Sequence, residues 1–204
     1  YEIHERLVGS EMCIRDSKGT GQRVSGETCT HYLTTTKEVL DNPDFNEAAK
    51  FVCSPALRDR EDCEALWQAL SDGLLTAVSS DHCGIDVAEL KQAGRNDFTQ
   101  IPNGSPGAGD RLHMVWTEGV CTGKLTRQKF VDVIATQPAK INGIYPRKGT
   151  LAVGSDADVV IFDPNYEGTV HLADNPNGVD YNLYEGRRQS GRVETVLLRG
   201  QVVV

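Results

Sequence analysis

The sequence predicts an α/β fold followed by a β-rich tail, and two observations carry that prediction. Residues 51–81 read as strand, helix, strand with short links, the pattern of parallel strands joined by a crossover helix. Near residue 150 the texture changes: "DADVVIFD" and "VETVLLRGQVVV" are apolar, β-branched runs with no helical period between them.

The elements follow in order. Residues 1–21, "YEIHERLVGSEMCIRDSKGTG", have no clean period and form an atypical leading segment. "QRVSGETC" (22–29) reads as a short strand, and "FVCSPALR" (51–58) as a second extended run interrupted by Pro55. "REDCEALWQALSDG" (60–73) is an amphipathic helix: Cys63, Leu66, Trp67 and Leu70 share one face, and Gly73 suits its C-terminal end. "LLTAVSSD" (74–81) is a buried strand. Residues 84–109 form a long loop rich in Gly, Pro and Asn; such loops are usually functional or disordered. Asp110 is placed to cap a helix reaching Val120, and Thr126 a helix reaching Thr136. "NGIYPRKGTL" is a turn, and the tail strands follow it.

Composition narrows the function classes. Of 204 residues, 39% are hydrophobic and 25% charged, enough for a buried core. The net charge of −8 argues against a nucleic-acid binder, which needs a basic face. No run of about 18 apolar residues exists, so no membrane span is expected. The six cysteines, at 13, 29, 53, 63, 83 and 121, form no Cys-x-x-Cys pair; they read as reduced thiols of a cytoplasmic protein.

The chemistry concentrates at "SSDHCG", where the strand runs into Asp81, His82 and Cys83. Parallel sheets carry active sites at the C-terminal ends of their strands. A carboxylate there can ligate a metal or move a proton, although an Asp at that point can also simply cap a turn. His82, adjacent on the chain, would face the other way, and Cys83 reads as a small buried side chain. The remaining histidines, 4, 31, 113 and 171, are scattered and form no His-x-His. A complete histidine-rich metal site is therefore not expected from this chain alone. No Gly-x-Ser-x-Gly elbow, phosphate loop or dinucleotide fingerprint is present.

Several stretches together resemble one family. "GETCTHYL", "FVCSPALRDREDCEALWQAL", "SSDHCG", "GRNDFTQIPNGSPGAGDRL", "TQPAKINGIYPRKGTLAVGSDADVVIFDP" and "DYNLYEG" are similar, in unbroken order, to the C-terminal half of the hydantoinase/dihydropyrimidinase family of amidohydrolases. The resemblance implies the C-terminal part of a (β/α)8 barrel over residues 22–150 and part of a small β-sandwich over 151–204. It implies two divalent metal ions, zinc by family habit, with Asp81 as a metal ligand and proton shuttle after the last barrel strand. It implies that Ser54, through its backbone, and Asn103 of the "IPNG" loop bind a small cyclic amide. Hydrolysis of that ring to an N-carbamoyl amino acid is the implied reaction, and a homo-oligomer, a tetramer, the implied assembly.

Two departures qualify that expectation. The family's other metal ligands have no counterpart here, so a fragment inactive on its own is expected. "LVGSEMCIRDS" stands where an amphipathic helix would precede "GQRV", and it resembles a translated sequencing adapter. The competing readings are a non-catalytic assembly protein of the same fold and a sister hydrolase acting on dihydroorotate or allantoin. Ser54, Asp81 and Asn103 favour the hydantoinase branch.

Overall fold

The structure is a computed structural model that describes residues 13–204; most of the atypical leading segment thus lies outside the described residues. Residues 13–19, at its end, are helical.

Strands β1 (Glu27–Cys29) and β2 (Ala77–Ser79) pair in parallel, with Thr28 opposite Val78. The link between them holds helices α1 (Thr30–Thr34), α2 (Phe45–Ala49) and α3 (Arg60–Ser71). In α3, Cys63, Trp67 and Leu70 are buried, the stripe that the periodicity predicted. Glu61 and Asp62 in its first turn complement the helix dipole. Gly73, at φ +76°, ends the helix in a conformation that a Cβ would disfavour. Trp67 anchors the core and donates its Nε1–H to the Leu33 carbonyl at 2.9 Å.

Residues 51–58 are not a strand, contrary to the expectation. Pro55 offers no N–H to a ladder, and β2 takes β1 as its partner instead. The first and third extended runs shorten to Glu27–Cys29 and Ala77–Ser79.

Helix α4 (Arg111–Val115) continues through a π turn at Trp116–Val120, so the helix reaches Val120 as expected. Asp110 precedes it but makes no side-chain cap. Its buried carboxylate is taken up by the side-chain amides of Asn175, Asn177 and Asn182, at 2.7, 3.3 and 3.1 Å. Thr126 does cap α5 (Arg127–Val131), accepting from the Lys129 N–H at 3.1 Å. That helix runs past Thr136, through a π turn at Asp132–Thr136 and into α6 (Gln137–Ile141). Pro138 is tolerated because it falls in the first turn of α6, directly after the widened turn.

The tail forms an antiparallel sheet in the order β3 (Val159–Thr169), β4 (Arg188–Leu198), β5 (Gln201–Val202). "VETVLLRGQVVV" is thus a hairpin. Arg199 and Gly200 both take positive φ, +51° and +80°, as a two-residue turn between twisted strands requires. The sheet packs against the helices. Phe162 and Trp116 meet edge to face at 5.0 Å, and Thr117 and Ser190 exchange hydrogen bonds of 3.1 and 2.9 Å. Among the described residues, no helix is long and apolar enough to cross a membrane.

Candidate active site

A cavity of about 930 Å³ opens where β1 and β2 end. Cys29 and Ser79, the last residues of the two strands, form its floor, and Tyr32, Ser54, Arg58 and Asp81 stand around it. Asp81 lies two residues beyond β2 with φ +45°, one of two non-glycine residues in the left-handed region among those described. That conformation is uncommon for a residue with a Cβ and marks functional sites more often than others. It turns the chain sharply at the strand end and leaves Asp81 on the cavity wall.

Three groups that feel the Asp81 charge are held neutral. Burial pushes the Cys29 thiol up, and the Asp81 charge adds to the effect. Burial also pushes the Tyr32 hydroxyl up. The His31 imidazole is driven down to about 4 by burial, only partly opposed by Asp81. Its Nε2 is buried without a hydrogen-bond partner. At neutral pH Tyr32 and Cys29 therefore stand on this wall as phenol and thiol, while the neutral His31 imidazole is buried outside the lining.

Ser54 is exposed and shares the cavity with Asp81. Its loop is held by the Tyr32 hydroxyl, which donates to the Pro55 carbonyl at 2.9 Å. Asn103 differs from the expectation: it is exposed and is not among the cavity-lining residues. The backbone beside it is pinned, since Gly104 donates to the Val52 carbonyl at 3.0 Å with φ +121°. A Cβ at Gly104 would lie 2.6 Å from that of Cys83, so only glycine lets these two loops approach. The Asn103 loop is thus fastened beside the cavity while the side chain stays in solvent.

His82 and Cys83 stay out of the cavity lining. His82 Nδ1 accepts from the Gly107 and Ala108 amides at 3.3 and 3.5 Å, and the Cys83 amide donates to Ser105 at 3.0 Å. Asp156 and Asp158 do not line the cavity either, and both pair with Lys148. The residues that the sequence reading passed over are Cys29, Tyr32 and Arg58. The first two sit in "ETCTHYL", directly after a strand, which was the signal available.

A profile of the amidohydrolase family matches residues 15–203. The chain belongs to the amidohydrolase family. It is 47% identical over its whole length to the D-hydantoinase of Ralstonia pickettii, and 37% identical to the dihydropyrimidinase of Arabidopsis thaliana. It spans 44% and 38% of those relatives. Among solved structures, the D-hydantoinase of Bacillus sp. AR9 superposes with a TM-score of 0.91 at 46% identity, over 95% of this chain and 42% of that one.

Amidohydrolases commonly use binuclear metal centres. Among the described residues, no three His, Cys, Asp or Glu side chains converge to hold a metal ion. The described residues of this amidohydrolase segment do not by themselves fit a binuclear centre. All six of its cysteines are free.

Proposed function

We propose that this amidohydrolase segment serves a cyclic-amide hydrolase that opens hydantoin or dihydropyrimidine rings to N-carbamoyl amino acids. The observation that carries the reading is Asp81: a left-handed carboxylate at the end of a parallel strand, in one cavity with Ser54. Water attacks the ring carbonyl, and Asp81 takes up its proton and returns it to the leaving ring nitrogen. The Ser54 backbone and Asn103 hold the ring by its N–H and C=O groups, which supplies orientation. Cys29 and Tyr32 share the cavity with Glu27, Asp62 and Asp81, which outnumber Arg58, a lining that suits an uncharged ring better than an anion. Two divalent ions, zinc by resemblance, belong to the proposal; Asp81 is the one ligand that the described residues contribute. A cytoplasmic homo-oligomer, a tetramer by resemblance, is the proposed setting.

The test replaces the matching segment of the Ralstonia pickettii D-hydantoinase with this chain. Dihydrouracil opening is followed by loss of ultraviolet absorbance. The hybrid is expected to turn over with added zinc, and the 204-residue chain alone to show no ring opening. Asp81→Asn in the hybrid keeps shape but removes the basic oxygen, and a loss of about 100-fold or more is expected. Near-normal turnover by that variant would place the chemistry elsewhere.

A further inference from the structure

Lys91 takes no part in the reading above, yet its position is costly. It sits in the loop between Asp81 and Asp110, at the start of the short 3₁₀ turn Lys91–Gly94, and it is 0% exposed. An ammonium taken fully out of water is unfavourable unless every donor finds an acceptor. Burial drives its pKa down to about 8, with Cys53 and Cys83 opposing the shift. An apolar side chain of similar length would fill the same space with no such penalty.

The acceptors explain the residue. Lys91 Nζ donates to the carbonyls of Ala49 at 2.8 Å, Val52 at 3.3 Å and Gly104 at 2.8 Å. Val52 lies two residues before Ser54, and Gly104 directly follows Asn103. The two loops also touch without help: the Gly104 amide donates to Val52, and Ser105 Oγ donates to the Lys50 carbonyl at 2.7 Å. The Cys83 amide donates to the Ser105 carbonyl, which ties in the loop that carries Asp81. Three loops therefore meet around one buried cation.

We propose that Lys91 is a positioning residue, whose ammonium ties the Ser54 loop to the Asn103 loop and thereby sets the grip on the substrate ring. This rests on the proposed roles of Ser54 and Asn103. Three converging carbonyls repel one another when no cation lies between them, so removing the charge parts the loops rather than leaving a passive gap.

The first experiment uses the whole 204-residue chain and needs no substrate. Lys91→Met keeps the length and removes the donors. Hydrogen exchange read by mass spectrometry should show residues 49–56 and 101–106 losing protection together, by about 10-fold or more, with α3 unchanged. Protection lost evenly, α3 included, or not lost at all, would overturn the brace.

The second readout separates positioning from mere folding. In the hybrid hydrolase, Lys91→Met should raise KM for dihydrouracil about 10-fold while kcat moves less, because Lys91 does not touch the reacting atoms. A variant with loosened loops but unchanged KM would overturn the link to substrate. If the wild-type hybrid fails on every cyclic amide, the functional reading falls, and the exchange result alone judges the brace.

Discussion

His31 is poorly suited to its surroundings: a 5% exposed imidazole whose pKa falls from 6.5 to about 4, by burial first and against the pull of Asp81. A folded pKa below the unfolded one means that the unfolded chain binds a proton which the folded chain refuses. Stability therefore rises with pH between about 4 and 6.5. The penalty is fully present below about 4 and gone above 6.5, and its size is on the order of 3 kcal/mol. Urea unfolding from pH 4 to 7 should show this rise in the native chain, and His31→Gln should flatten it by that amount. Parallel stability curves for the two proteins would show that the ring is not buried. Asp81 was legible in the sequence because a strand running into a carboxylate is a local pattern. His31 was not, because its burial depends on what the rest of the fold brings against it.

Two acidic or hydroxyl residues stand before helices, and they do different work. Thr126 caps α5 through its side chain, so Thr126→Ala should cost about 1 kcal/mol. Asp110 was expected to do the same for α4 and instead holds three asparagine amides from residues 175–182. Asp110→Ala strands the buried Asn182 amide and frees the half-buried amides of Asn175 and Asn177, and should cost about 3 kcal/mol. Chemical denaturation of both variants decides the matter: equal costs would mean that Asp110 is only a helix cap. A cap is written within four residues, which is why Thr126 could be read. The Asp110 partners lie more than sixty residues away, and no local signal names them.

At the scale of the whole molecule, one close approach gathers both tail strands against a helix: a Cβ on Gly191 of β4 would meet Phe162 of β3 and, at 2.9 Å, Trp116. Gly191, at φ +76°, lets β4 lie against the Phe162 ring and Trp116; an added Cβ would come within 2.4 Å of that ring. Gly191→Ala should therefore lose about 3 kcal/mol, combining left-handed strain with overpacking. Gly178, at φ +70° with nothing near its missing Cβ, is the control, and its alanine variant should lose only the strain, about 1 kcal/mol. Equal losses in denaturant unfolding would show that Gly191 is not pressed between Phe162 and Trp116.

From residue order alone came the α3 stripe, the Thr126 cap, the apolar tail runs and the carboxylate at the end of β2. Each is a local pattern, because helical and strand periods and end caps are set by neighbours a few residues apart. Pairing, register and close approach are different. Residues 51–58 look extended in isolation, yet β1, fifty residues before β2, takes the place beside it. Asn103 stays in solvent while the backbone next to it is fastened to Val52 and Lys91. A buried lysine leaves no periodic trace at all, since its meaning lies in three carbonyls that only the folded chain brings within reach of one ammonium.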